Sequence, residues 1–192
     1  MTRATGIGSL PGDDFAEASR IVLGEIPGFP HLPELPARGA IADMTGRTLA
    51  MIGELGFDLQ PAGWRLTDAS GIDHRRAKSL LAQDLDVFEE LTQGYEGPLK
   101  LQVAGPWTVA ATTERPRGDR LLADVGARRE VAEALALGGI GDIQGNGEGG
   151  WRNFHQRHAR QRWRGRGCRC GRRIGRCHGE GFTVGSTMRM TG

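Results

Sequence analysis

Three stretches of this 192-residue chain hold residue types whose spacing could do chemistry. Thr5-Gly6-Ile7-Gly8-Ser9-Leu10-Pro11 closes a predicted first strand. Glycine permits a tight turn and close backbone approach, so a ligand could reach the amides of Ile7, Gly8 and Ser9. Binding groups sit at such turns at the C-terminal ends of barrel strands; a plain strand-to-helix turn is the other reading. Leu99-Lys100-Leu101-Gln102-Val103-Ala104-Gly105-Pro106-Trp107-Thr108-Val109 is a second strand ending in Gly-Pro, with a helix starting near Thr108. The third stretch is Cys168-x-Cys170 followed by Cys177-His178, four soft ligands, the number tetrahedral zinc takes. Its spacing argues against a metal site. Cys-x-Cys is tight, adjacent Cys177 and His178 cannot easily chelate one ion, and eight arginines between 160 and 176 repel a cation.

Regular elements must position the first two stretches. Residues 13–25 read as a helix, with Asp13 or Asp14 as cap and Phe15, Ala18, Ile21, Val22 and Ile26 on one face. In Phe29-Pro30-His31-Leu32-Pro33-Glu34-Leu35-Pro36 a proline at every third position forces extended backbone, which predicts an ordered loop. Residues 41–55 are predicted as a helix stopped by Gly56, while 57–66, interrupted by Pro61, have no clear state. Residues 73–92 give the strongest amphipathic pattern. Ala77, Leu80, Leu81, Leu85, Phe88 and Leu91 form its stripe, and Arg75, Arg76, Asp84, Asp86 and Glu90 lie off it. A last helix is predicted over 118–137. The alternation of strand and helix predicts an α/β class with parallel strands covered by helices.

The chain averages hide a break near Leu137. Residues 1–137 carry 14 Lys and Arg against 20 Asp and Glu, net −6, whereas 138–192 carry 11 Arg against 3 acidic residues, net +8. All nine prolines precede the break, no leucine follows it, and the three cysteines lie beyond it. The later segment has no period of 2 or 3.6 and too little apolar surface to offset its ordering entropy, which predicts a disordered basic tail. No run approaches the ~18 apolar residues of a membrane helix. The N-terminus lacks the apolar core of a secretory signal. With an odd cysteine count, these features predict a cytoplasmic protein with no membrane partner.

The opening Ile7-Gly8-Ser9-Leu10-Pro11 resembles the Ile-Gly-Ser-aromatic-Pro start of the catalytic barrel of cobalamin-independent methionine synthase. Val103-Ala104-Gly105-Pro106-Trp107-Thr108 is similar to that family's Leu-Thr-Gly-Pro-Val-Thr turn. Pro33-Glu34-Leu35-Pro36-Ala37-Arg38-Gly39, followed by Asp43-Met44, resembles its Gly-Glu-rich loop before an Asp-Met helix start. The resemblance covers residues 4–137. It implies the N-terminal half of a TIM (β/α)8 barrel and the methyltransferase activity of methionine biosynthesis. In that activity a methyl group passes from methyltetrahydrofolate to homocysteine, whose sulfur zinc holds as a thiolate. Carried over by motif, Ile7, Gly8, Ser9 and Glu34 would hold the amino-acid part of a homocysteine-like thiol. A solvated loop charge is the alternative for Glu34.

The departures are as informative. The family's His, Cys, Glu and Cys zinc ligands and its Asp-Glu-Pro strand belong to the second half of the barrel, and nothing after Leu137 matches them. The chain therefore reads as two pieces, 1–137 a truncated half-barrel and 138–192 a noncognate tail. A reading-frame shift in GC-rich DNA would produce such Arg-, Gly-, Cys- and Trp-rich sequence. Translation of the other frames downstream of codon 137 should then yield a leucine-rich continuation with Asp-Glu-Pro and His/Cys ligands. Two alternatives remain open at this point: RNA binding by the Arg/Gly-rich tail, a nucleic-acid partner being the less favoured reading, and another thiol methyltransferase or decarboxylase of the same superfamily.

Overall fold

The first two helices begin where an aspartate caps them. Asp14 accepts from the Glu17 N–H at 2.9 Å and opens α1, Phe15–Glu25; Asp43 accepts from the Gly46 N–H at 2.7 Å and opens α2, Met44–Ala50. The computed structural model describes residues 4–143, with side chains through residue 137. Within them α3 spans Ile72–Leu91, α4 Pro106–Thr112 and α5 Val125–Ile143, and short 3-10 turns lie at Pro36–Arg38 and Leu121–Ala123. Strands β1, Gly56–Gln60, and β2, Gly63–Thr67, pair antiparallel with Phe57 opposite Leu66. The described residues are thus mixed α/β, with five α-helices and one two-stranded sheet.

Several expectations need correction. The stretch 57–66 is this hairpin, and Pro61 with Ala62 forms its turn, where proline's missing N–H costs no ladder bond. Gly56 starts β1 rather than stopping a helix, and the helix predicted over 41–55 shrinks to α2 because Asp43 caps it late. The helix predicted over 118–137 is interrupted: Asp124 accepts from the Ala127 N–H at 3.0 Å and sets the start of α5, which continues past the compositional break. Helix α4 starts at Pro106, two positions before the expected Thr108. Residues 144–192, with Cys168, Cys170, Cys177 and His178, lie outside the described residues.

The expected parallel strands are present only as extended stretches. Residues 5–10, 29–35 and 99–103 lie side by side through isolated parallel bridges, Ser9 to Glu34 and His31 to Lys100. The Leu10 N–H donates to the Glu34 carbonyl at 2.9 Å, the Glu34 N–H to Gly8 at 3.0 Å, and the Leu32 N–H to Lys100 at 3.0 Å. Pro30, Pro33 and Pro98 lack the donors a longer ladder needs. Spatial order follows chain order, with α1 between the first two stretches and α2, the hairpin and α3 between the second and third.

The core gathers Leu35, Leu49, Ile52, Phe57, Leu85, Phe88 and Leu121, each almost wholly buried. Two stripe assignments change. Ile21 is half exposed, and Asp84, expected on the solvent side of α3, is buried. Its carboxylate bridges two guanidiniums, Arg38 Nη1 at 2.8 Å and Arg47 Nη1 at 2.6 Å, and both lie over the Phe15 ring. This triad ties α3 to α2 and to the 3-10 turn that follows Glu34.

Candidate functional site

The first bridge places Ser9 beside Glu34, and the Ser9 hydroxyl lies 3.4 Å from Glu34 Oε2, a long hydrogen bond. Ile7 and Ser9 face solvent, whereas Gly8 is buried. Glu34 is only 5% exposed, so it is not a solvated loop charge. The prolines around it do not make a surface loop: residues 29–35 are buried throughout. Three of the four expected binding residues, Gly8, Ser9 and Glu34, are thus joined by backbone or side-chain bonds, and Ile7 projects outward beside them.

The glycines are required by what lies behind them. Gly8 has φ of +146°, and a Cβ there would stand 2.5 Å from Gln102 Nε2. A Cβ on Gly6 would stand 2.3 Å from the His31 ring. The polar residues behind the turn, His31, Lys100 and Gln102, were not singled out from the sequence. A signal existed: Lys100 and Gln102 alternate with Leu99, Leu101 and Val103, which gives one polar face and one apolar face.

Lys100 is buried, and its Nζ donates to the carbonyls of Gly6 at 2.6 Å and Ile7 at 2.9 Å. Burial pushes its pKa down, and the Glu34 carboxylate pulls it back up. His31 is held below the ordinary histidine value, first by burial and then by the Lys100 ammonium, against a hydrogen bond with the Gly8 backbone. Gln102 Nε2 donates to the Leu32 carbonyl at 2.6 Å, while its Oε1, His31 Nδ1 and Thr5 Oγ1 are buried without a hydrogen-bond partner among the described residues.

Chemically, the arrangement offers a carboxylate and a hydroxyl on one side of a glycine turn. Glu34 can receive an ammonium group, and Ser9 can donate to or accept from a polar substituent. Among the described residues Lys100 alone joins the second motif to this turn by hydrogen bonds, while Gln102 bonds the Leu32 carbonyl beside it. Its Gly-Pro step opens α4, and Trp107 is largely exposed beneath the Arg128 guanidinium. Among the described residues no three His, Cys, Asp or Glu side chains are grouped to hold a metal ion. The zinc of the resembled family therefore has no ligand set there. No helix among them is long and apolar enough to cross a membrane. No protein-family model matches the chain, and no curated protein and no solved structure matches it.

Proposed function

We propose that residues 4–137 are the N-terminal half of a (β/α)8 barrel of the cobalamin-independent methionine synthase kind, and that the turn at Ile7, Gly8 and Ser9, with Glu34, binds the amino-acid part of a homocysteine-like thiol. One observation carries this reading. Glu34 is buried beside Ser9 at the end of two parallel-bridged stretches, where its carboxylate feels the Lys100 ammonium but closes no ion pair among the described residues, which leaves it able to take a ligand ammonium. The chain-ordered bridging of three extended stretches, with helices between them, supports the barrel half.

The family activity is methyl transfer from methyltetrahydrofolate to zinc-bound homocysteine. No ligand set for that zinc lies among the described residues, and nothing in the sequence after Leu137 matches the family's ligands, so the present chain is expected to bind the thiol amino acid and to turn over none. Titration calorimetry with L-homocysteine tests the binding, with Glu34→Gln as the variant. Millimolar or tighter binding that Glu34→Gln weakens supports the site; no heat with the wild-type chain removes it. Methyl transfer by the purified 192-residue chain would overturn the expectation of inactivity. RNA affinity that falls steeply with salt and vanishes on deleting residues 151–192 would favour the RNA reading, which the net +8 of residues 138–192 keeps open.

A further inference from the structure

We propose that Lys100 is the positioning residue of the Gly6–Ser9 turn: one buried ammonium holds two successive carbonyls and so fixes the direction in which the turn presents its amides. The inference rests on the binding reading above for its consequence, though not for its geometry. Lys100 Nζ reaches Gly6 O at 2.6 Å and Ile7 O at 2.9 Å, from a stretch more than ninety residues away in sequence. In a trans peptide the carbonyl and the following N–H point opposite ways, and there is no cis peptide among the described residues. With the Gly6 and Ile7 carbonyls drawn to Lys100, the N–H groups of Ile7 and Gly8 are turned away from it. Neither donates to another backbone carbonyl among the described residues.

Consecutive N–H groups aimed the same way form a patch of partial positive charge that suits an anionic group. The ammonium behind them polarises both peptide units in the same sense. Glu34 and His31 are the titratable groups that face Lys100, the first favouring its charged form. Glycine at position 8 completes the device, because its φ of +146° strains any other residue and Gln102 fills the space a Cβ would take. Lys100 therefore touches no ligand. It acts through the backbone it holds.

The test uses the full chain with Lys100→Met and Lys100→Arg. Amide ¹H–¹⁵N shifts and hydrogen exchange of Ile7, Gly8 and Ser9 are recorded beside thermal melts, and L-homocysteine is titrated into each protein. The expected result is that Lys100→Met melts cooperatively, displaces the three amide signals, and weakens L-homocysteine about tenfold, as loss of a charge-assisted hydrogen bond should. Lys100→Arg should recover most of both effects. Unchanged amide signals and an affinity within twofold in Lys100→Met would overturn the proposal. If Lys100→Met does not fold, the wild-type chain still decides. The carbonyl ¹³C shifts of Gly6 and Ile7 must then move together as Lys100 is titrated at alkaline pH, and flat shifts overturn the proposal. Absence of L-homocysteine binding by the wild-type chain sinks the binding reading while leaving the amide and carbonyl readouts to judge Lys100.

Discussion

Replacing Asp84 with asparagine should be among the most costly single changes in the body of the protein. The Asp84 side chain is 3% exposed and lies 2.8 Å from Arg38 and 2.6 Å from Arg47, whose side chains are 19% and 8% exposed. At an effective dielectric near 20, charge centres ~4 Å apart attract by about 4 kcal/mol, so the carboxylate offsets much of the cost of burying both guanidiniums. Breaking a buried pair by removing one partner costs about 3–5 kcal/mol. The Asp84→Asn side chain keeps the shape and one acceptor, and Arg38 can turn toward water, which places the cost at the low end, about 3 kcal/mol. Arg47 has less freedom, because its Nη2 is already buried without a partner among the described residues. For a body of this size that corresponds to a fall in Tm of about 9 °C, taking about 3 °C per kcal/mol. Urea unfolding followed by intrinsic tryptophan fluorescence measures the loss of stability, with exposed Asp86→Asn as the control. A midpoint shift for Asp84→Asn no larger than that of Asp86→Asn would refute the argument that the triad is held by its central charge. Because the triad anchors the 3-10 turn after Glu34, L-homocysteine affinity should fall with the same substitution.

Other predictions follow from neighbouring features. Gly8→Ala forces an alanine to φ of +146° and against Gln102, and should cost about 1–3 kcal/mol in a denaturant melt. A variant as stable as the wild type would show that the turn relaxes freely. Phe88→Ala removes a fully buried ring from the core that Phe57 shares and should destabilise by about 3–5 kcal/mol, read by the same melt. Stability should also fall on acidification. His74 is buried, bonds Leu49 O through Nε2 at 2.8 Å, and has its pKa lowered chiefly by burial. The unfolded chain therefore takes up a proton below about pH 6.5 that the folded chain resists, and stability present above that pH is lost as pH falls toward the lower folded value. His31 adds a loss of the same sign. The difference in Tm between about pH 7 and about pH 5.5 should shrink in His74→Gln; an unchanged difference would exclude His74 as a source.

The sequence by itself determined the features that depend on local chemistry. Asp14 and Asp43 cap helices because a short carboxylate reaches the next turn's amide, whatever surrounds it. The long amphipathic run of α3 was legible because one side of it must meet a core. The glycine turn and the carboxylate at position 34 were legible as residue types, and the reversal of charge near Leu137 was legible as composition.

Tertiary structure decided what depends on partners distant in the chain. The hairpin at 56–67 could not be read locally, because Pro61 is a breaker in a strand and an asset in a turn, and only the pairing of Phe57 with Leu66 distinguishes the two. Asp84 reads as a surface charge on its own helix, yet two arginines far earlier in the chain, Arg38 and Arg47, make its burial tolerable. Glu34 reads as a loop charge until residues 5–10 and 99–103 close around it. Lys100 lies in the strand of the second motif with no chemistry of its own to mark it; it gains a role because folding carries its ammonium to the carbonyls of Gly6 and Ile7. Local sequence sets which groups can donate, accept or turn. The identity of the group each one meets across the fold is set by packing, since burial makes nearly every charge and amide find a partner that the chain supplies from elsewhere.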